Sequence, residues 1–270
     1  MTGRVSAGRW ALRGVVMSWL GLLVALPVLV LVARGLAEGP GVAWAAVTAP
    51  DAVDALTRSL GLAAVTTVLN GCLGTLLAWA LARWEFPGRR LIELLVELPL
   101  AVPTLVAGIL VIALFGPGTP AGRWLLAAGF PVAYAWPGMV LALCFVTLPF
   151  VVRAVGPVLA DLDPAEEEAA RMMGADDRTV LVRILLPPIL PAIGVGLVQT
   201  FARAVAEFGS LAAVSGNIPG RTMSTPVYVL GEVEAGNTTG AAAVSAVLLA
   251  LALALQPLAS WLARRGSRGQ

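Results

Sequence analysis

The chain has no histidine and no lysine, and only 13% of its 270 residues are charged. Histidine is the commonest metal ligand and titrates near neutral pH, so its absence removes the usual basis for metal or acid–base chemistry. There are two cysteines, Cys72 and Cys144, both inside apolar runs. They read as small core hydrophobes and imply neither a disulfide nor a metal site. Soluble domains carry about 25% charged residues. A chain this poor in charge and 59% hydrophobic has the composition of a membrane protein. All 18 basic residues are arginine. With abundant alanine and glycine, that reflects a compositional bias and carries no functional message.

What is present is a series of apolar runs. Gly14 to Ala33 holds no charge and is about 20 residues long, enough to cross a bilayer. A cleaved signal peptide would have a shorter apolar region of about 7–15 residues. Further runs cover residues 59–82, 98–115, 136–152, 184–206 and 240–263. Six transmembrane helices are therefore expected. Asp51 after Pro50 suits a short helix before the second span, and Thr225-Pro226 suits the cap and first residue of another short helix. Pro99 and Pro103 are expected to loosen the start of the third span. Pro187, Pro188, Pro191, Gly194 and Gly196 should keep the fifth from being a straight rod.

The arginines set the orientation, because cytoplasmic loops carry the excess of positive charge. With the N-terminus inside, Arg4, Arg9, Arg13, Arg83, Arg89, Arg90, Arg153, Arg171, Arg178, Arg183, Arg264, Arg265 and Arg268 are cytoplasmic. Arg34, Arg58, Arg123 and Arg221 are outside, and Arg203 lies within the fifth span. The expected organisation is a cytoplasmic tail at 1–13, a membrane domain at 14–263 and a second cytoplasmic tail at 264–270.

One long polar stretch, Leu162 to Pro191, interrupts the apolar chain. Asp163 can cap a helix beginning at Pro164, and Glu166, Glu167 and Glu168 fall where the helix dipole favours negative charge. Gly174 can take a left-handed conformation and end that helix. A second helix follows from about Asp176 into the fifth span. The product is a knob between two membrane helices, shaped for a partner's groove. A DNA-reading helix-turn-helix is the soluble alternative, and the closely flanking apolar spans count against it.

Within this stretch the spacing E-A-A-x3-G-x9-I-x-L-P is complete: Glu168, Ala169, Ala170, Gly174, Ile184, Leu186 and Pro187. It resembles the EAA loop of permease subunits of bacterial ABC importers. The resemblance implies that these residues form a coupling helix docked on a cytoplasmic ATPase subunit. ATP-driven closure of two such subunits would move the coupling helices, and the membrane bundles would rock between inward-open and outward-open states.

A second constellation closes the fifth span. Arg203 and Glu207 are four apart on one helix face and can pair. Charge at membrane depth is costly and faces the bundle interior or a water-filled path. The functional reading is a gate or anion contact made by Arg203, Glu207, Gly209 and Ser210. The plainer reading, which we favour, is an ion pair that neutralises itself. Residues 203–210 and 214–220, with 97–108 and 148–153, are similar to permeases for sulfate and thiosulfate, and most similar to their T-type subunit. The likeness covers about residues 55–263, which is the expected permease core; Ala206 departs from it, where those permeases more often have glycine.

The resemblance implies an all-α fold, the ABC type-1 importer permease bundle, in the bacterial inner membrane with both termini cytoplasmic. It implies a subunit without catalysis or cofactor of its own, ATP-Mg being bound by the ATPase partner. The expected solute is a tetrahedral oxyanion, sulfate or thiosulfate, with molybdate or tungstate as the alternative. Expected partners are the cytoplasmic ATPase subunits, a second related permease chain, a periplasmic or extracellular sulfate-binding protein and the lipid bilayer, with no nucleic acid. An ion-coupled secondary transporter is the rival of another class. It would need acidic coupling residues in the membrane, and Glu207, already matched with Arg203, is the one candidate.

Overall fold

The computed structural model describes residues 3–266 of the chain. The expected tail residues 1–2 and 267–270, including Arg268, lie outside the described residues, as do the side chains of Arg4 and Arg265. All regular structure among the described residues is helical.

Helix α1 (Gly3–Leu20) passes through a π-helical turn, Gly21–Ala25, into α2 (Leu26–Gly35). The helix thus begins inside the stretch read as a tail. Its apolar part, Leu12–Gly35, is long enough to span, and its apolar side chains lie largely exposed on the surface of the single chain. It is seated at its end, where a Cβ on Gly35 would lie 3.0 Å from the backbone of Ala243. After α3 (Pro40–Val47) comes α4 (Pro50–Arg83), one unbroken helix of 34 residues. The separate short helix expected at Asp51 is therefore absent; Pro50 at the first position starts the long helix itself.

The expected third span, 98–115, is broken, its first residues ending one helix and the rest forming another. Helix α5 (Arg89–Ala101) and α6 (Thr104–Phe115) meet at 117°. Pro103 lacks an N–H and forces Val102 into an extended conformation (φ −90°, ψ 131°), so the helix stops there. Among the described residues, five helices are therefore long and apolar enough to cross, or six if the bent pair counts as one span.

Thr119 caps α7 (Pro120–Ala127), accepting a hydrogen bond from the Gly122 N–H at 2.9 Å. Helix α8 (Trp136–Asp161) continues well beyond the expected end at Val152. Arg153 does not terminate it, because that side chain turns outward to pair with Glu97 of α5 at 2.9 Å. Helix α9 (Pro164–Met172) and the single turn α10 (Asp177–Thr179) form the polar knob. The chain then runs without interruption through a π-helical turn, Val180–Leu185, into α11 (Leu186–Val205). The fifth span thus begins at Asp177 rather than near Ile184. Pro187 and Pro188 cannot donate hydrogen bonds to the preceding turn, and the wide π turn lies where those donors are missing. Short α12 (Gly209–Val214), α13 (Thr225–Glu234) and the long α14 (Thr238–Gly266) complete the described residues. Ser224, not Thr225, is the cap residue of α13; the Thr225 N–H and Oγ1 donate instead to Ser59 Oγ of α4, at 2.8 and 3.0 Å.

The core gathers Leu62, Val111, Met139, Leu143, Val205 and Leu211 from α4, α6, α8, α11 and α12. Lipid supplies no hydrophobic drive between helices, so close approach of small residues and polar contacts must hold them. Both are present. A Cβ on Gly74 would lie 2.8 Å from the Val151 side chain, and one on Gly196 would lie 2.9 Å from the Val151 Cα. Between α4 and α8, Asn70 Nδ2 donates to Thr147 Oγ1 at 2.8 Å and to the Cys144 carbonyl at 3.0 Å.

Candidate functional site

Two places in the fold bring the singled-out residues together. The first is the α9–α10 hairpin. Pro164 opens α9, and the Asp163 carboxylate accepts from the Ala165 N–H at 2.9 Å. At the other end Gly174 is left-handed (φ +89°). Its N–H reaches the Arg171 carbonyl at 3.0 Å, and the Ala175 N–H returns to the Ala170 carbonyl at 3.0 Å. This closes the orphan carbonyls of the last turn. Asp176 caps the second helix, accepting from the Thr179 N–H at 3.0 Å. Hydrogen bonds from Thr179 hold the Asp176 carboxyl below its ordinary pKa.

The fixed positions of the spaced motif divide between two jobs. Ala170 is buried with Val180 and Leu185, and Ile184 and Trp79 pack against them. Leu186 packs lower, against the cluster of Val155, Leu159 and Ile189. These residues hold the hairpin onto the ends of α4 and α8. Glu168, Ala169, Gly174 and Pro187 are exposed. Met172 and Met173 at the hairpin tip are 89% and 83% exposed. Sequence reasoning passed over these two methionines and read Glu167 only as a first-turn carboxylate favoured by the helix dipole. Glu167 is nearly buried and pairs with Arg83 at the end of α4. The signal for Glu167 was available: it is three residues before buried Ala170, hence on the same helix face.

The second place is the break between α11 and α12. Glu207 is fully buried. Its Oε2 lies 2.5 Å from Arg203 Nη1, and its Oε1 accepts from the Ser210 N–H at 2.9 Å. One carboxylate therefore balances the arginine and holds the first turn of α12. Gly209 and Ser210 then meet α6. A Cβ on Gly209 would lie 2.4 Å from Thr104 Oγ1, and one on Gly108 would lie 2.3 Å from the Ser210 carbonyl. All four singled-out residues are thus adjacent, at the point where the α5–α6 and α11–α12 breaks face each other.

Beyond α12 the turn at Ser215–Arg221 is tied down. Gly216 (φ +71°), Asn217 (+53°) and Gly220 (+67°) are left-handed. Arg58 of α4 donates to the Arg221 carbonyl at 2.8 Å and to the Gly220 carbonyl, and pairs with Asp54 at 2.9 Å. The hairpin and this loop lie at opposite ends of α4.

Breaking a fully buried ion pair costs about 3–5 kcal/mol; here Glu207 is fully buried and Arg203 is one third exposed, so the cost falls below that range. Glu207→Ala should therefore lower the folded protein recovered from membranes. Arg203→Ala with Glu207→Ala should lower it less, since no charge is stranded. Fluorescence-detected size exclusion of detergent extracts measures both. A double variant worse than the single one would contradict the self-neutralising pair.

Residues 71–268 match the family described as binding-protein-dependent transport system inner membrane component. Among curated relatives, a probable sulfate transport system permease protein cysT from Nephroselmis olivacea is 37% identical over 262 residues, covering 97% of this chain and 91% of that one. The sulfate transport system permease protein CysT of Escherichia coli (strain K12) is 38% identical, covering 78% of this chain and 76% of its own. CysW of the same organism is 34% identical, covering 95% and 89%. Among solved structures, a bacterial alginate ABC transporter in complex with an alginate pentasaccharide-bound periplasmic protein contains a chain that superposes with a TM-score of 0.79. It is 18% identical, and the match covers 97% of this chain and 96% of that one. At that identity the likeness speaks for the fold.

Proposed function

This chain belongs to the family of binding-protein-dependent transport system inner membrane components, and from that premise we propose that it is the permease subunit of an ATP-driven sulfate importer. The observation that carries the solute is the 34–38% identity to relatives named as sulfate permeases. Thiosulfate, equally tetrahedral and dianionic, belongs to the same reading.

The mechanism follows from the two ends of the bundle. The α9–α10 hairpin faces the cytoplasm and inserts into an ATPase subunit, which binds ATP-Mg. Met172 and Met173 supply the apolar, adaptable contact at its tip. Glu168, exposed beside them, supplies a charge for the partner's surface. Ala170 and Ile184 keep the hairpin fixed to the spans, so its displacement is passed on rather than absorbed. A second related permease chain completes the pathway, as the occurrence of both CysT-type and CysW-type relatives supports. A binding protein delivers the anion at the opposite end, near the Ser215–Arg221 turn. Both termini lie in the cytoplasm, with the arginine-rich ends.

The test is uptake of radiolabelled sulfate by cells lacking their own importer and expressing this chain with its co-encoded subunits, with molybdate as competitor. ATP-dependent sulfate uptake that resists modest molybdate is the expected result. Uptake of molybdate alone would change the ion and keep the architecture. A purified complex without an ATPase would contradict the importer reading and favour an ion-coupled carrier.

A further inference from the structure

We propose that the Arg83–Glu167 ion pair is the positioning link that makes the second span move with the hairpin. This rests on the importer reading above. Arg83 is the last residue of α4, and Glu167 lies in the first turn of α9. Their side chains are only 17% and 12% exposed. The Arg83 guanidinium also lies over the Trp79 ring, 5.8 Å from its centroid, and Trp79 packs against the buried Ala170 cluster. Nε and Nη2 of Arg83 are buried and meet no hydrogen-bond acceptor. Glu167 is therefore the counter-charge on which this arginine depends. The other Glu167 oxygen lies 3.5 Å from Arg171 within α9 itself.

The remaining pairs at this end are of a different kind. Arg89–Glu93 and Arg171–Asp177 are more exposed and join near neighbours in sequence, and Arg153–Glu97 is exposed on both sides. Exposed pairs contribute little and break easily. Arg83–Glu167 is nearly dry and joins residues far apart in the chain. It bypasses the covalent route, in which the hairpin pulls on α8 and α11 alone. Through it α4, which packs along both of those helices, is held to α9 directly.

The experiment measures sulfate uptake and ATP hydrolysis together in proteoliposomes holding the full complex. Wild-type uptake comes first, and its absence would overturn the importer reading and this inference with it. Glu167→Gln and Arg83→Gln are each expected to retain the ATPase on purification and to lower sulfate moved per ATP by about tenfold. The double variant should fall no further, as expected for residues acting as one unit. If the neutral variants do not accumulate, Glu167→Asp keeps the charge and withdraws it by one methylene, and a lowered ratio again supports the link. A wild-type ratio in any single variant, or a double variant in which the two losses multiply, would overturn it while leaving the importer intact.

Discussion

Gly174→Pro is expected to cut sulfate uptake by about a hundredfold while the chain still inserts. The reason is backbone geometry. Gly174 holds φ at +89°, whereas proline is fixed near −65°. The substitution also deletes the N–H that reaches the Arg171 carbonyl. A proline forced into an incompatible site costs about 3 kcal/mol or more, and each 1.4 kcal/mol is about a factor of ten in an equilibrium. The hairpin would populate other turns and no longer present Met172 and Met173 together. A Cβ at this position would meet nothing within 4 Å, so the constraint is conformational and not steric. Gly174→Asn should therefore transport nearly as the wild type does, because asparagine tolerates the left-handed region. Gly174→Ala should fall between, at a cost of about 1–2 kcal/mol. Uptake in cells, with copurification of the ATPase, checks the series. Normal transport by the proline variant would end the argument that this turn matters.

The second large effect is expected from Gly108→Leu, through packing. The new Cβ would lie 2.3 Å from the Ser210 carbonyl oxygen and 2.8 Å from the Ala213 Cβ. A backbone carbonyl cannot swing aside as a side-chain tip can. Overpacking a well-filled site costs about 1–3 kcal/mol and sometimes more, so folded protein in the membrane should fall about tenfold. Gly108→Ala should already be harmful, since the clash begins at Cβ. Gly71 provides the contrast. A Cβ there would meet only the flexible end of Leu197, at 2.5 Å, so Gly71→Ala should accumulate normally. Equal yields of the two alanine variants would refute the close seating of α6 on α12.

These two glycines show how differently the sequence exposed its structure. Gly174 was legible, because a helix that starts with Asp163-Pro164 and meets a glycine before Asp176 has its end written in local chemistry. The long spans were legible for the same reason: apolar runs need no tertiary partner to be recognised. Their ends were less so. The apolar run of the fourth span stops before Arg153, but the helix continues, because Arg153 pairs with Glu97, far away in the chain. Pro103 was expected to loosen a helix and instead folded it back by 117°. How far a proline bends a chain depends on what the freed segment packs against, here α12. At the candidate site, Arg203 and Glu207 were readable as a pair from their spacing. That the same carboxylate holds the Ser210 N–H, and that Gly209 abuts Thr104, required the approach of α6. The spaced motif contains Glu168 and not its neighbour Glu167, whose pairing with Arg83 depends on where the end of α4 lies.

The length of α4 has a consequence of its own. At 34 residues it measures about 51 Å, well beyond a hydrocarbon layer of about 30 Å. Its two ends therefore stand in polar surroundings, one gripping the Ser215–Arg221 turn through Arg58 and the other gripping α9 through Arg83. A stiff rod held near its middle exchanges small angles for large end displacements. A rocking of about 5° would carry Arg83 roughly 2 Å and Arg58, nearer the middle, roughly 1 Å, in opposite senses. That is comparable to a hydrogen bond's reach, so a tilt too slight to disturb the packed middle would be enough to make or break contacts at both surfaces at once.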